Sequence, residues 1–233
     1  MKMSVVIPAF NEATRLPDTL ARIDAHLEAR GESGWEIIVV DDGSTDETAG
    51  SARRAAAGLS CPVEVVTLSA NRGKGAAIRE GVRRSRGERV LVTDADLSTP
   101  IEEWTRLAET GAPIAIGSRA LDETTVKRRQ APYRRTLGRL FNRLVQRLSV
   151  PGIRDTQCGF KLFDGEVARA LFGEARIDRF AYDVEILALA RSRGIRIAEV
   201  PVLWFNSPES KVSVVRDLLP TLRDLVRIRL RIR

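Results

Sequence analysis

Short apolar runs rich in β-branched residues alternate with amphipathic segments through the first half of the chain. The runs predict strands over residues 4–7, 35–40, 63–68, 90–93 and 114–117. The segments between them predict helices over residues 16–30, 44–57 and 74–84, the second opening on a capping box from Ser44 to Glu47. This alternation is typical of βαβ units, so we expect an α/β fold with a mostly parallel central sheet flanked by helices.

The predicted strands end in polar or glycine-bearing loops. In an open α/β sheet the ligand binds beyond the carboxyl ends of the parallel strands, so these loops would meet at one edge. The four loops cover residues 8–12, 41–44, 69–75 and 94–96. Their acids can bind a metal ion or sugar hydroxyls, whereas Arg72, Lys74 and the glycine amides suit phosphate. Together the loops predict a site for a nucleoside diphosphate.

The fourth loop carries two aspartates one residue apart, Asp94 and Asp96, directly after an apolar run. In extended backbone, residues i and i+2 point the same way, so both carboxylates can share one cation. Carboxylate oxygens with open positions suit Mg²⁺ or Mn²⁺, which in turn hold diphosphate oxygens. The alternative is that the pair ends a strand and caps the following turn. The metal site is favoured because the other three polar loops are predicted at the same edge of the sheet.

Structural alternatives stay open for the other loop residues. Gly43 and Ser44 are more typical of a turn and a helix cap than of ligand contact, and Asp41 and Asp42 fit a turn as well as a ligand site. The glycines of the third loop can serve only the tight backbone of a helix start, and Pro8 can serve only the shape of its loop. The coincidence of four loops at one edge therefore carries the prediction.

Several classes of protein are excluded by what the sequence lacks. Neither G-x-G-x-x-G after the first strand nor G-x-x-x-x-G-K-[ST] occurs, which argues against a nicotinamide dehydrogenase and a P-loop NTPase. The single histidine, His26, falls in a predicted surface helix, so a histidine-dependent triad is not expected. Cys61 and Cys158 have no metal-ligand spacing and form no disulfide framework, so we expect a reducing cytoplasm. No apolar run approaches the roughly 20 residues that cross a bilayer, and the N-terminus lacks a secretory-signal pattern.

The charge balance is basic. The 233 residues carry a formal net charge of +7, with a pI near 10.1, although 31 are acidic. Nucleic acid, anionic lipid and an anionic substrate are the partners that this balance permits. Aromatic residues make up only 5% of the chain and no recognition motif occurs, so we expect no nucleic-acid partner.

Two basic amphipathic segments lie in the second half. In the first, arginines recur every fourth residue beside an apolar stripe, at Arg135, Arg139, Arg143 and Arg147. The second is C-terminal: we assign 1–211 to the main domain and 212–233 to this segment. Its helix should end near residue 227, because apolar and basic residues then alternate strictly, as in a strand. Such segments can lie on an anionic membrane at about 1 kcal/mol per nearby Lys or Arg, make a homodimer contact, or simply pack on the core.

The loop motifs resemble those of inverting family-2 glycosyltransferases with the GT-A fold. The matching residues are 5–12 (VVIPAFNE), 39–46 (VVDDGSTD), 71–75 (NRGKG) and 94–96 (DAD). Downstream, the chain is similar to the dolichyl-phosphate β-glucosyltransferases, and more loosely to the dolichyl-phosphate mannose synthases, at 116–119, 155–163 (DTQCGFKLF), 182–187, 199–202 and 210–212. The resemblance covers nearly the whole chain. It implies a GT-A fold, to which the residue pattern adds the basic C-terminal helix.

The resemblance also implies roles on the donor side. The residues around the nucleoside would be Pro8, Phe10, Glu12 and Asp42. Lys74 and Asp94 would lie toward the ribose and the diphosphate, and Asp96 would be the principal ligand of Mg²⁺ or Mn²⁺. Mannose synthases often have Gln two residues beyond the second Asp as a further ligand; this chain has Ser98 there, so water would complete the shell.

On the acceptor side, the resemblance implies that Gln157 flanks the sugar. The cations facing the acceptor phosphate and the leaving diphosphate would be Arg119, Arg134 or Arg135, and Lys211. Glu209 stands where relatives usually have Gly, which leaves the orientation of Lys211 open. The motif Q-x-x-R-W of processive polysaccharide synthases is absent.

The implied reaction is transfer of glucose from UDP-glucose to a polyprenyl or dolichyl phosphate, with inversion, at the cytoplasmic face of a membrane to which the protein is peripherally bound. A lipid phosphate carries about −1.5 to −2 charges, so its oxygen can attack without a base, and the catalyst must instead overcome repulsion between two phosphate groups. We expect Asp155 to orient an arginine rather than to act as a base. The alternatives are mannose transfer from GDP-mannose and an inactive membrane adaptor with the same fold.

Overall fold

The computed structural model describes residues 1–121, 150–205 and 214–232, with backbone alone for 214–219. In these residues seven strands form one sheet: β1 Met3–Ala9, β2 Trp35–Asp41, β3 Val63–Thr67, β4 Arg89–Val92, β5 Ile114–Ser118, β6 Lys161–Asp164 and β7 Ile197–Pro201. The helices are α1 Leu16–Ala29, α2 Thr48–Ala56, α3 Lys74–Arg84, α4 Trp104–Ala108, α5 Gly165–Glu174, α6 Tyr182–Ser192 and α7 Val214–Arg231. A 3₁₀ turn, Ile101–Glu103, precedes α4.

The sheet has the order β3-β2-β1-β4-β6-β5-β7. β1 pairs in parallel with β2 and β4, and β2 with β3, so the carboxyl ends of all four strands lie at one edge. The predicted mostly parallel α/β fold is therefore confirmed. β6 runs antiparallel between β4 and β5, and its first residue, Lys161, pairs with Val92 and Ile116. The start of β6 thus lies at the same edge as the ends of β1–β4.

Helices cover both faces of the sheet. Alternate residues of β1 point to opposite faces: Val5 and Ile7 pack with α1, α2 and α4, whereas Val6 packs with α3, α5, α6 and α7. A Cβ on Gly81 of α3 would lie 2.5 Å from a Val6 methyl group, so this glycine lets α3 approach β1 closely. The short strands, buried on both faces, explain the nearly continuous apolar runs of the sequence.

The predicted capping box is wrong. α2 begins at Thr48, and Glu47 makes no side-chain cap bond. The hydroxyl of Ser44 is instead used within the loop, where it donates to the Asp41 carboxylate and accepts from the backbone N–H of Asn11 at 2.9 Å. The Asp46 carboxylate accepts from the N–H of Thr48 at 3.0 Å and so takes over the start of the helix.

The predicted end of the C-terminal helix near residue 227 is also wrong, because α7 continues to Arg231. Leu225 and Ile228, three residues apart, are both buried in the core. The Arg231 guanidinium donates to the Glu185 carboxylate and to the Glu174 carbonyl oxygen, each at 2.6 Å. These tertiary contacts outweigh the strand-like alternation. The basic segment at 133–148 and the proposed boundary at 211/212 lie outside the described residues.

Within the described ranges, no helix is both long enough and apolar enough to cross a bilayer.

Candidate active site

The loops after β1 and β2 are bound to each other. The amide side chain of Asn11 accepts from the N–H of Thr45 at 2.9 Å, and the N–H of Glu12 donates to the Thr48 hydroxyl at 2.8 Å. Asn11 has a φ of 56°, which bends the chain toward α1. Gly43 has a φ of 67°, and a Cβ there would collide with the backbone of Ala70 in the third loop. The interpretation of Gly43 as a turn residue is therefore confirmed. The interpretation of Ser44 as a helix cap is wrong, because its hydroxyl donates to Asp41 within the loop and α2 begins only at Thr48.

The carboxylate of Asp42 orders the third loop. Its two oxygens accept from the backbone N–H groups of Arg72 and Gly73, both at 2.8 Å. Burial raises the pKa of Asp42, against the opposing effect of these two hydrogen bonds. Asp42 is thus a structural clamp between the second and third loops, and its contact with a nucleoside stays a prediction.

The glycines of the third loop allow α3 to begin close to another segment. Gly73 has a φ of 112°, and a Cβ there would lie 2.6 Å from the carbonyl oxygen of Asp178. A Cβ on Gly75 would lie 2.5 Å from the carbonyl oxygen of Ile177. The interpretation of these glycines as residues of a tight helix start is confirmed, and this close approach fixes the position of Lys74 at the first turn of α3.

Lys74 and Asp94 form an ion pair at the open edge of the sheet. Their Nζ and Oδ1 atoms are 2.5 Å apart. Burial alone would raise the pKa of Asp94, but the Lys74 ammonium outweighs it and holds this pKa below its usual value. Burial would likewise lower the pKa of Lys74, but Asp94 and Asp183 hold it above its usual value. Both side chains are therefore charged, and the Asp94 side chain is still 37% exposed.

Asp96 closes the turn after β4 with one carboxylate oxygen. Its Oδ1 accepts from the N–H of Ser98 at 2.9 Å, and Leu97 between them has a φ of 42°. The second oxygen lies 3.8 Å from the Arg15 guanidinium of α1. The Thr19 hydroxyl donates to the Ala95 carbonyl oxygen at 2.6 Å and ties this loop to α1. The turn-capping role is thus present, and it leaves one oxygen of Asp96 outside the turn.

The segment before β6 lies directly behind Asp94. A Cβ on Gly159 would collide with the Asp94 carboxylate where it now lies, so the glycine lets this segment approach the carboxylate closely. A buried ion pair fixes the segment: the Lys161 ammonium donates to Asp183 at 2.5 Å and also to the carbonyl oxygen of Cys158. Sequence reasoning missed this pair, although a lysine within the apolar run Phe160–Phe163 was a usable signal.

Arg119 is held by three hydrogen bonds to Asp155. The backbone N–H, Nε and Nη2 of Arg119 donate to this carboxylate at 2.9, 2.7 and 2.9 Å. Glu199 accepts from the N–H of Asp155 at 2.8 Å, and the guanidinium carbon lies 5.6 Å from the ring centroid of Trp204. Burial would raise the pKa of Asp155, but Arg119 outweighs it and holds this pKa below its usual value. The expectation that Asp155 orients an arginine is confirmed.

A family model described as Glycosyl transferase family 2 matches residues 4–172. The chain belongs to glycosyltransferase family 2.

Relatives in this family match almost the full chain. The dolichyl-phosphate beta-glucosyltransferases of Trichomonas vaginalis and Homo sapiens are each 40% identical to it, over 236 and 244 residues. These matches cover 96% and 99% of this chain and 69% and 75% of the relatives. The Mycobacterium tuberculosis glucosyl-3-phosphoglycerate synthase, crystallised with Mn²⁺, UDP and phosphoglyceric acid, superposes with a TM-score of 0.66 at 18% identity, covering 97% of this chain and 76% of that one. The GT-A fold that the resemblance implied is confirmed.

The remaining predicted site residues of this family-2 glycosyltransferase are distributed around the same edge. Pro8 is half-buried near the end of β1, Phe10 and Glu12 are half-buried in the loop after it, and Gln157 is exposed before β6. Arg134, Arg135 and Lys211 lie outside the described residues.

The carboxylates at the edge offer an incomplete shell for a metal ion. Among the residues with described side chains, no group of three or more His, Cys, Asp or Glu could hold one. Asp94 and Asp96 nevertheless supply the oxygen donors that Mg²⁺ and Mn²⁺ prefer, and each has an oxygen beyond its bond to Lys74 or Ser98. Mg²⁺ is commonly bound by one or two carboxylates together with substrate phosphates. The residues present therefore fit an ion completed by a ligand.

Proposed function

We propose that this glycosyltransferase transfers glucose from UDP-glucose to the phosphate of a polyprenol or dolichol, with inversion at the anomeric carbon. The observation that carries the proposal is the contact of Gly159 with Asp94. Through this contact, the segment that includes Asp155 packs against the Lys74–Asp94 ion pair. The same segment holds Arg119 through Asp155. The similarity to dolichyl-phosphate beta-glucosyltransferases over nearly the full chain supports the choice of sugar and acceptor.

On the donor side, Pro8, Phe10, Glu12 and Asp42 surround the nucleoside in this proposal, Gln157 flanks the sugar, and the Lys74 ammonium binds the diphosphate. Asp96, together with Asp94, would hold Mg²⁺ or Mn²⁺, which neutralises diphosphate charge when bound. The Mn²⁺ and UDP in the Mycobacterium tuberculosis relative support a divalent ion here.

On the acceptor side, the lipid phosphate needs no general base, because its oxygen is already anionic. The Arg119 guanidinium has its Nε and Nη2 on Asp155, and this fixed cation offsets the repulsion between the acceptor phosphate and the donor diphosphate. Arg134 or Arg135 and Lys211 act with it. Asp155 stays ionised beside Arg119 and therefore serves as a positioning residue.

The lipid acceptor implies work at a membrane surface, and we propose peripheral association with the cytoplasmic face. The outer surface of α7 supports it, because Arg223, Arg227 and Arg229 are exposed there. A homodimer through the basic segments stays a prediction.

The test is a donor-by-acceptor assay. Purified protein is incubated with UDP-[¹⁴C]glucose or GDP-[¹⁴C]mannose, polyprenyl phosphate and Mn²⁺, and organic-extractable label is counted. We expect label from UDP-glucose, dependent on both the lipid phosphate and the metal. Label from GDP-mannose alone would overturn the glucose assignment in favour of mannose transfer. No label from either donor, with intact binding to membranes, would indicate the inactive adaptor.

A further inference from the structure

An arginine-lined groove lies outside the loops of the active site, between α7 and the segment before α6. Its volume is about 490 Å³. The charged residues that line it are Arg176, Asp178, Arg179, Arg223, Asp224 and Arg227. The groove borders the third loop from behind, since a Cβ on Gly73 would lie 3.2 Å from the Cα of Arg179.

The groove carries a net positive charge, because its four arginines outnumber its two aspartates. Asp178 already pairs with Arg79, and its second oxygen lies 3.5 Å from Arg72. Asp224 lies 3.2 Å from Arg227. Among the described side chains, no carboxylate lies within 4.0 Å of the guanidinium groups of Arg176, Arg179 or Arg223. Within the described part of the chain these three guanidinium groups have no carboxylate partner, and their planar forks match phosphate oxygens.

The two walls of the groove are fixed by one buried carboxylate. Glu185 of α6 accepts from the backbone N–H groups of Arg176 and Ile177, with shortest distances of 2.9 and 2.8 Å. The same carboxylate accepts from the Arg231 guanidinium of α7 at 2.6 Å. A ligand that enters the groove therefore meets walls that are already joined, which lowers the ordering cost of binding.

An exposed apolar pair borders the groove on the outer surface of α7. Val226 is 54% exposed and Leu230 is 68% exposed, whereas Leu225 and Ile228 on the opposite face are buried. Arg223 and Arg227 precede the two exposed residues by three positions each, so they lie beside them on the helix surface. Apolar residues flanked by arginines on an exposed helix face are the pattern of a helix that lies on an anionic membrane.

We propose that this groove binds the phosphate of an anionic membrane phospholipid and that Val226 and Leu230 enter the acyl boundary beside it. Charge complementarity and the adjoining apolar pair select a lipid surface as the occupant. The site is separate from the acceptor-phosphate site at Arg119. The inference deepens the proposed membrane association and does not depend on which sugar is transferred.

Cosedimentation with vesicles tests this site. The probes are vesicles of phosphatidylcholine alone and vesicles with 30% phosphatidylglycerol, in buffer without phosphate. The test variant is Arg179→Gln/Arg223→Gln. The matched control is Arg22→Gln/Arg53→Gln, which removes two exposed arginines of α1 and α2 on the opposite face of the sheet. Thermal melting of each variant verifies the fold.

We expect the wild-type chain to bind phosphatidylglycerol vesicles in preference to phosphatidylcholine. At the membrane attraction typical of two basic residues, the test variant should bind about 30-fold more weakly, and the control within about threefold of wild type. Val226→Ser/Leu230→Ser should also weaken binding. Equal losses in the test and control variants would overturn the site, because they would indicate diffuse attraction. Binding of inorganic phosphate at Arg179 and Arg223 without vesicle binding would overturn it too.

Transfer by the wild-type chain to a short, water-soluble polyprenyl phosphate is measured in parallel. Vesicle binding without transfer would leave this inference standing and remove the proposed function. Transfer without preferential vesicle binding would overturn this inference and leave the proposed function standing.

Discussion

Two acid–base pairs at the same edge of the sheet are built differently. Lys74 meets Asp94 through one ammonium contact of 2.5 Å, and the Asp94 side chain keeps 37% of its surface exposed. Arg119 meets Asp155 through three hydrogen bonds, and the Asp155 side chain is only 9% exposed. The first pair has acceptor and donor capacity left for a ligand. In the second pair, the carboxylate oxygens of Asp155 already accept three hydrogen bonds from Arg119.

This difference separates the donor side from the acceptor side. A point charge on a flexible stem can follow a diphosphate as it binds and leaves, whereas a guanidinium held on its carboxylate keeps one orientation. A guanidinium that is already oriented in this way needs no reorganisation during the reaction. The comparison predicts that changes at the donor side alter nucleotide binding, and that changes at the acceptor side alter turnover of the lipid phosphate while nucleotide affinity stays constant.

The largest effect is expected for Asp96→Ala. Loss of the proposed metal ligand should lower kcat by about 10²–10³-fold and abolish the Mn²⁺-dependent part of UDP affinity. Initial rates and calorimetric titration with UDP, with and without Mn²⁺, measure the two quantities. The control is Glu88→Gln, which removes an exposed acid at the opposite end of β4. An Asp96→Ala protein with normal metal-dependent UDP binding would remove Asp96 from the donor side.

Arg119→Lys tests the acceptor side. Lysine cannot reproduce the fork on Asp155, so kcat/KM for the lipid phosphate should fall by about 10²-fold, while UDP affinity stays within about threefold of wild type. Asp155→Asn should also lower kcat/KM for the lipid phosphate, by raising the acceptor KM, because the guanidinium then loses its anionic partner. Steady-state kinetics over lipid phosphate concentration separate KM from kcat. Equal losses in UDP affinity and turnover would show that the two sides are not separate.

Lys74→Met should have a smaller effect, confined to the donor. Loss of one charged hydrogen-bond donor to the diphosphate should weaken metal-free UDP binding by roughly 10- to 100-fold, and uridine binding by much less. Fluorescence or calorimetric titrations with UDP and with uridine compare the two affinities. The exposed Lys2→Met serves as the control. If uridine binding fell as far as UDP binding, Lys74 would act on the loop rather than on the diphosphate.

Glu36→Gln should alter stability alone, because Glu36 lies far from the edge, at the start of β2. Its buried carboxylate accepts from the Ser4 hydroxyl at 2.7 Å and from the Arg86 N–H, Nε and Nη2 at 2.8, 2.9 and 2.6 Å. The free energy of unfolding should fall by about 1–3 kcal/mol. The control is Glu64→Gln, which removes an exposed carboxylate paired with Arg84 at 2.6 Å, and we expect a change below about 1 kcal/mol. Urea unfolding measures both, and altered kinetics in Glu36→Gln would contradict the assignment.

The same residue predicts a pH dependence. Burial alone would raise the pKa of Glu36, but Ser4 and Arg86 outweigh it and lower this pKa. A carboxyl whose pKa is lower in the folded state contributes stability above its unfolded pKa, near 4.3, and loses it as the pH falls through the folded value. The stability difference between wild type and Glu36→Gln should therefore shrink below about pH 4. A difference that grows at acid pH would contradict this sign.

Periodicity in the sequence was enough to predict β1–β5, α1 and α3, because these elements are buried or amphipathic along their own length. β6 was not predicted: it has four residues, and its first is a buried lysine whose partner, Asp183, lies 22 positions away. The end of α7 was misjudged because its last turn is held by Glu185, 46 positions away.

The candidate site also has a part that could be predicted from the sequence and a part that could not. The donor loops follow directly from the ends of parallel strands, so their convergence could be predicted from local sequence. The placement of Gly159 behind Asp94 could not, because β6 returns antiparallel to the same edge. Asp155 was expected to orient an arginine, but the sequence did not identify Arg119 as that arginine, since 36 residues separate the partners.

The most direct test of the account is an anomalous diffraction map from crystals grown with Mn²⁺ and UDP-glucose. We expect the manganese peak against Asp96, with the diphosphate between the ion and Lys74 and with Arg119 still bound to Asp155. A bound donor whose manganese lies away from both Asp94 and Asp96 would contradict it.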